Sequence, residues 1–166
     1  MLKLDYYECM ILKILQQDAT QSTAEIAERI GLSQAPCWRR IDRLRKEGVI
    51  KAQVVLVDRL KVGLNAQIFA QVKLNAHGRQ HLDEFAAAIQ KFEEVLECFV
   101  MLGSVDFLIR IVTYDIESYE RFFFDHLSRV SGIQEINSFV ALSEIKSTTS
   151  LMTLAAKGRP DSALPA

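Results

Sequence analysis

Basic residues are concentrated in one short part of a chain of 166 residues whose formal net charge is only -1. The stretch GLSQAPCWRRIDRLRKEGVI, residues 31–50, holds Arg39, Arg40, Arg43, Arg45 and Lys46. Cationic groups at this density can neutralise phosphates, and an arginine can also bond the edge of a guanine. Because the whole molecule is slightly acidic, the pattern indicates a local surface for a polyanion and not a general attraction.

Helical spacing divides this stretch into an inner and an outer side. Cys37, Ile41 and Leu44 recur at i, i+4 and i+7, which predicts a buried stripe on one face. The basic residues then project on the other side or flank it. We expect Arg40, Arg43 and Lys46 to contact backbone phosphates, which fix register but carry no sequence information.

The elements before this helix have recognisable ends. Asp5 is placed to cap a helix that runs to about Gln17, and Ser22 and Glu25 have the spacing of a capping box. Gly31 is a natural stop for the second helix, because glycine tolerates the left-handed conformation after a last turn.

The third helix is predicted to begin at Ser33. Pro36 then falls at the third helical position, where a residue that lacks an N–H group costs little. Two helices joined by so tight a turn form a helix-turn-helix.

A helix-turn-helix places the start of its second helix in the major groove. Ser33, Gln34, Ala35, Trp38 and Arg39 are therefore the candidates for base or sugar contact. Trp38 could equally cover the edge of the core or lie along the DNA backbone. Residues 49–57 read as a strand or ribbon, which makes residues 1–57 a winged helix-turn-helix domain.

The rest of the chain repeats one pattern twice. After a linker at 58–65, strands at 67–74, 95–102, 107–112 and 133–142 enclose two helices in the order β-α-β, β-α-β. This order predicts a ferredoxin-like α+β sandwich over residues 66–153, with both helices on one face of the sheet. The tail at 154–166 has no periodicity and is expected to be disordered.

The sheet face away from the helices is expected to be apolar. Its predicted members are Phe69, Phe99, Met101, Ile109 and Phe139. An exposed apolar face of this kind marks an association surface, so we expect a homodimer.

The run from Gly31 to Ile41, with Leu44 and Gly48 beyond it, resembles the recognition region of the leucine-responsive regulatory protein/asparagine regulator (Lrp/AsnC) family of transcription factors. Leu4-Asp5 and the run from Ile14 to Ala19 resemble the family's first helix, and the likeness covers about residues 4–153. The resemblance implies a DNA-binding regulator in amino-acid metabolism. It also implies a free amino acid as effector, and dimers that assemble further into tetramers or octamers.

The resemblance also implies a place for the effector. The family's effector loop falls on Gly103, Ser104, Val105, Asp106 and Phe107, and the threonines near its pocket fall on Thr148 and Thr149. Asp106 could accept from an α-amino group, and loop amides or hydroxyls could donate to an α-carboxylate. The alternative is that residues 103–106 are merely a tight turn.

Other classes of function have little support in the sequence. There is no G-x-S-x-G, P-loop, H-E-x-x-H or G-x-G-x-x-G motif, so we predict no enzyme, no catalytic residues, no metal and no cofactor. No apolar run reaches the length of a membrane span, and we expect a cytoplasmic protein. The alternative function is an architectural DNA-binding protein that ignores small molecules.

Overall fold

The computed structural model describes residues 3–75 and 79–153, and for residues 79–81 it describes the backbone alone. Contacts divide the chain into two units. The helical unit comprises Met1–Val55 with Lys146–Ala166, and the sheet unit comprises Leu56–Ile145. Within the described residues, no helix has both the length and the apolar character needed to cross a bilayer.

The helical unit begins with three helices whose ends confirm the sequence predictions. They are α1 (Tyr6–Gln17), α2 (Thr23–Ile30) and α3 (Gln34–Lys46). Asp5 caps α1, Ser22 and Glu25 form the capping box of α2, and Gly31 ends α2 in the left-handed conformation at φ 71°. Pro36 lies in the first turn of α3, as expected.

The core of the helical unit lies where the three helices meet. Cys37, Ile41 and Leu44 of α3 are all buried, and they pack with Ile11 and Ile26 from the other two helices. The predicted stripe is therefore confirmed, and it fixes which side of α3 faces outward.

The predicted strand at residues 49–57 is wrong. All of these residues are described, yet residues 51–58 form no strand, and Val54 to Val57 are largely exposed. Their alternation suits a strand, but a strand also needs a neighbour to pair with, and the periodicity of one segment does not supply that neighbour.

The sheet unit has the predicted ferredoxin-like order. Its elements are β1 (Ala66–Leu74), α4 (Arg79–Ile89), β2 (Val95–Val100), β3 (Phe107–Thr113), α5 (Ile116–Asp125), a 3-10 turn (Leu127–Arg129) and β4 (Ile133–Val140). The four strands lie in the order β2-β3-β1-β4, and each neighbouring pair is antiparallel.

One face of this sheet is covered by the helices. Phe85 of α4 and Phe122 of α5 pack on Ile68, Val72 and Phe107 in a single apolar core. The position of both helices on one side confirms the predicted sandwich.

The other sheet face differs from the prediction. Phe69, Phe99 and Phe139 lie on it, but Ile109 does not, because Arg110 points outward and its neighbour Ile109 is fully buried in the core. Met101 lies beyond the end of β2. Arg110 donates to Glu97 at 2.8 Å on the same face, so polar groups interrupt the apolar surface.

The segment after Lys146 belongs to the helical unit. The side-chain amide of Gln16 on α1 pairs with the backbone of Leu151, accepting its N–H at 2.6 Å and donating to its carbonyl at 3.2 Å. The Thr153 hydroxyl donates to the carbonyl of Cys9 at 3.5 Å. Nothing in the sequence pattern predicted this return of the chain. The predicted disordered tail at 154–166 lies outside the described residues.

Candidate nucleic-acid interface and effector loop

The outward face of α3 is the first candidate site. The residues on the side of α3 opposite the buried stripe are about half a turn around the helix axis from it. They are Ala35, Arg39, Asp42 and Lys46. Arg39 forms no ion pair within the described residues, whereas the ammonium of Lys46 lies 2.7 Å from a carboxylate oxygen of Asp42. Arg39 is thus the most available cation on this face.

The first turn of α3 is also open. Ser33, Gln34 and Ala35 are exposed, and the Ser33 side chain makes no capping hydrogen bond. The Trp38 side chain is 55% exposed, so it does not seal the core. This end of α3 presents a hydroxyl, an amide and an indole, all of which can form hydrogen bonds.

Arg40 is tied to α1. Its Nε and Nη2 lie 3.3 and 3.2 Å from Oδ2 of Asp5, and its guanidinium stacks over the ring of Tyr7 at 5.4 Å. Its Nη1 also donates to the carbonyl of Pro36 at 3.5 Å. Arg40 therefore lies partly against the protein and is only half-exposed.

Arg43 is tied to α1 as well. Its Nη1 donates at 2.8 Å to Oε1 of Glu8, whose side chain is 1% exposed. The Arg43 side chain itself remains 46% exposed. The three predicted phosphate-binding residues, Arg40, Arg43 and Lys46, therefore all have carboxylate partners within the protein, which the sequence did not predict.

The loop at residues 103–106 connects β2 to β3. Gly103 and Ser104 are exposed, and Val105 and Asp106 are half-buried. One carboxylate oxygen of Asp106 accepts the N–H of Leu74 at 2.7 Å, while its backbone bonds Val72 and Met101. Asp106, the residue before β3, thus continues the hydrogen bonding between β3 and β1.

Phe107 directly follows this loop in the chain, but its side chain lies in the core. Its side chain is fully buried, and its ring lies 4.3 Å from that of Phe85, centroid to centroid. The ring is part of the core and does not face a ligand at the loop surface.

Thr148 and Thr149 fall in the helical unit and not in the sheet unit. Both are exposed, and the Thr148 hydroxyl accepts the N–H of Ser150 at 3.1 Å. The predicted effector residues are therefore divided between the two units.

A cleft that the sequence did not reveal lies between α5 and β4. It has a volume of about 380 Å³ and is lined by Ile116, Tyr119, Glu120, Phe123, Phe124, Ile136 and Ser138. The hydroxyls of Tyr119 and Ser138 are 2.5 Å apart, and burial raises the pKa of the Tyr119 phenol. The cleft is almost wholly apolar, and two hydroxyls at its floor bond each other.

Comparison with known proteins matches both units. Residues 4–51 match the model of a winged helix-turn-helix DNA-binding domain, and residues 67–151 match the Lrp/AsnC ligand-binding domain. The chain is 36% identical over 149 residues to the glutamate uptake regulatory protein of Zymomonas mobilis, covering 90% of each protein.

Two solved structures are similar along most of their length. An AsnC-family transcriptional regulator from Agrobacterium tumefaciens has a TM-score of 0.86 at 36% identity, covering 90% of this chain and 97% of the other. A transcriptional regulator from Neisseria meningitidis in complex with L-methionine has the same TM-score and the same coverage at 33% identity.

The fold and the exposed end of α3 define a helix-turn-helix DNA-binding protein with a separate ligand-binding module. The chain belongs to the Lrp/AsnC family of transcriptional regulators. It is a DNA-binding regulator that responds to a small-molecule effector.

Proposed function

We propose that this regulator binds duplex DNA through α3 and takes a free amino acid as its effector. One observation carries the DNA assignment: the face of α3 opposite the core is open and presents Arg39 without a carboxylate partner in the described residues. A helix of this kind, second in a helix-turn-helix, fits the major groove.

The contacts divide into two groups. Arg39 and Gln34 suit guanine and adenine edges, with Ser33, Ala35 and Trp38 beside them. Lys46, Arg40 and Arg43 suit phosphates, although each also has a partner within the protein. Since Arg43 is nearly half-exposed, its guanidinium can serve Glu8 and a phosphate at once.

The effector assignment is supported by chemistry and by relatives. Gly103, Ser104 and Val105 supply exposed or half-buried backbone and a hydroxyl, and Thr148 and Thr149 supply two more hydroxyls. Within the sheet unit, the loop amides and the Ser104 hydroxyl can bond an α-carboxylate, whereas Asp106 can bond an α-amino group; the hydroxyls of Thr148 and Thr149 offer donors of the same kind. Glutamate in the name of one relative and methionine in the structure of another support an amino acid.

Self-association completes the proposal. We assign the outer sheet face around Phe69, Phe99 and Phe139 to a homodimer that can build tetramers or octamers, because two DNA-binding units would then meet two half-sites. We place the protein in the cytoplasm of a bacterial or archaeal cell, in contact with the chromosome, and assign it no catalysis.

A thermal-shift screen of the proteinogenic amino acids tests the effector. A ligand that binds only the folded state raises the melting temperature, and the stabilisation grows with the logarithm of one plus the ratio of ligand concentration to Kd. We expect one amino acid, or one chemical group of them, to raise it by several degrees and to change the mass in solution. No response to any amino acid would favour the architectural alternative.

Binding of a fluorescent duplex tests the DNA assignment separately. We expect the Arg39→Ala variant to lose about 1–3 kcal/mol of the difference in affinity between specific and mixed-sequence DNA, because this is the discrimination that one good arginine contact to a base supplies. Arg45→Ala is the matched control, because Arg45 is on the same helix and points towards Gln53. Equal losses in both variants would contradict base recognition by Arg39.

A further inference from the structure

Two helices of the helical unit begin with the same motif, but the two motifs differ in burial. In α2, Glu25 is exposed and accepts the N–H of Ser22 at 2.6 Å. In α1, Glu8 accepts the N–H of Asp5 at 2.9 Å, yet Glu8 is completely buried. Since an exposed glutamate closes a capping box equally well, capping does not explain the burial of Glu8.

A second bond explains the burial of Glu8, because each acidic residue of this capping box uses its other carboxylate oxygen to bond an arginine of α3. Glu8 uses Oε2 for the cap and Oε1 for Arg43 at 2.8 Å. Asp5 uses Oδ1 for the cap and Oδ2 for Arg40. Both members of this capping box therefore connect the start of α1 to the recognition helix.

Arg43 extends from the interior to the surface. Glu8 is 1% exposed in its side chain, and Arg43 is 46% exposed. A guanidinium has five N–H donors in a fixed plane, so a bond from one nitrogen sets the direction of the others. A lysine at this position could not serve both a buried carboxylate and an external anion in the same way.

We propose that Glu8 is a positioning residue for DNA binding, which holds Arg43 so that its exposed N–H groups meet a backbone phosphate. This inference rests on the proposed function of α3. It adds a residue from another helix, buried and acidic, to the determinants of DNA affinity.

The sign of one substitution separates this role from simple electrostatics. Glu8→Gln removes a negative charge close to the DNA-binding helix, and by charge alone it would strengthen binding to DNA. If Glu8 positions Arg43, the same substitution weakens binding, because the guanidinium loses its fixed orientation and the phosphate contact with it.

The experiment measures the affinity of the full-length protein for a mixed-sequence fluorescent duplex across a range of salt concentrations. No operator is needed, since phosphate contacts are independent of sequence. For Glu8→Gln we expect about tenfold weaker binding at low salt. We also expect the slope of log affinity against log salt to become shallower by about 0.9, the value for one lost phosphate contact.

Asp42→Asn is the matched control. It also removes an acidic partner of a basic residue on α3, but its pair with Lys46 is exposed and does not involve α1. We expect this variant to bind DNA as tightly as the wild type or more tightly. Tighter binding or an unchanged salt slope for Glu8→Gln would overturn the proposal.

Arg43→Lys keeps the test decisive if Glu8→Gln does not fold. This variant keeps the charge, and we expect the same shallower slope, because the ammonium remains on Glu8. A slope equal to that of the wild type would again overturn the role of Glu8. Failure of the wild type to bind any duplex at low salt would instead overturn the proposed function itself.

Discussion

The two units hold their parts together by different means. In the helical unit, the recognition helix is joined to α1 by apolar packing and by two ion pairs, one of which has a buried carboxylate. In the sheet unit, helices and strands meet through an apolar core in which the rings of Phe85 and Phe107 lie 4.3 Å apart, centroid to centroid. Directional bonds such as these ion pairs fix the orientation of one helix relative to another. An apolar core instead fixes which layers pack together, and the positions of the loops then depend on strand pairing.

This difference bears on the two candidate sites. The proposed DNA-binding surface is one face of one helix, so its geometry depends on how α3 is held. The proposed effector residues come from a loop of one unit and a segment of the other, and the side chains of Asp106 and Thr148 are held by hydrogen bonds that they accept from backbone N–H groups. Substitutions should therefore affect the two units through different physical terms.

The largest expected effect is in the apolar core. Phe107→Ala removes a fully buried ring and should lower the free energy of unfolding by about 3–5 kcal/mol. Chemical denaturation measures this loss. Phe139→Ala on the outer sheet face, where the side chain is 54% exposed, is the control and should cost the isolated chain much less. Similar losses in both would show that the outer face is as tightly packed as the core.

The next effect is in the charged junction. Arg43→Met leaves the buried Glu8 carboxylate without its cation, and we expect a loss of about 3 kcal/mol, at the low end for a broken buried pair because Arg43 is partly exposed. Lys46→Met breaks an exposed pair and should cost below about 1 kcal/mol. Equal denaturation midpoints for these two variants would contradict the special role of the buried pair.

Asp106 tests whether the effector loop is held by its own side chain. Asp106→Ala leaves the N–H of Leu74 without its acceptor and should cost about 1–3 kcal/mol. Asp106→Asn keeps an acceptor and should retain most of the stability while losing affinity for an α-amino group. Denaturation and ligand titration of both variants separate the two roles, and full effector response in Asp106→Asn would remove Asp106 from the effector site.

The smallest expected effect is on the free energy of unfolding at low pH. Hydrogen bonds from Ser118, its side chain first and its backbone N–H second, hold the pKa of Asp115 below the ordinary value of 3.8. A lowered pKa in the folded state stabilises the protein above pH 3.8, and this contribution is lost as the pH falls through the folded value. The difference in stability between the wild type and Asp115→Asn should therefore shrink below pH 3.8, measured by denaturation at each pH. A constant difference would assign the effect to capping alone.

The sequence was sufficient wherever local rules decide the structure. The capping residues, Gly31, Pro36 and the buried stripe of α3 each depend on neighbours within a turn or two, and all were predicted correctly. The order of strands and helices in the sheet unit followed from periodicity in the same way.

The sequence was insufficient to predict contacts between residues that are far apart in the chain. Glu8 and Arg43 are 35 residues apart, and Gln16 and Leu151 are 135 apart, so no pattern links them. Ile109 was assigned to the wrong face because a strand with apolar residues on both sides has an ambiguous phase until Arg110 is recognised as outward. The predicted site residues remain predictions, and Phe107 is the one that burial argues against.

The bonds between Gln16 and Leu151 have a consequence for how the protein is made. Leu151, which bonds Gln16 near the end of α1, lies 135 residues later in the chain, after the whole of the sheet unit. Domains usually fold in order from the N-terminus as they emerge. Here the first unit reaches its full set of contacts only after the second has been translated, so a chain terminated before Leu151 carries a helix-turn-helix without the bonds to Gln16.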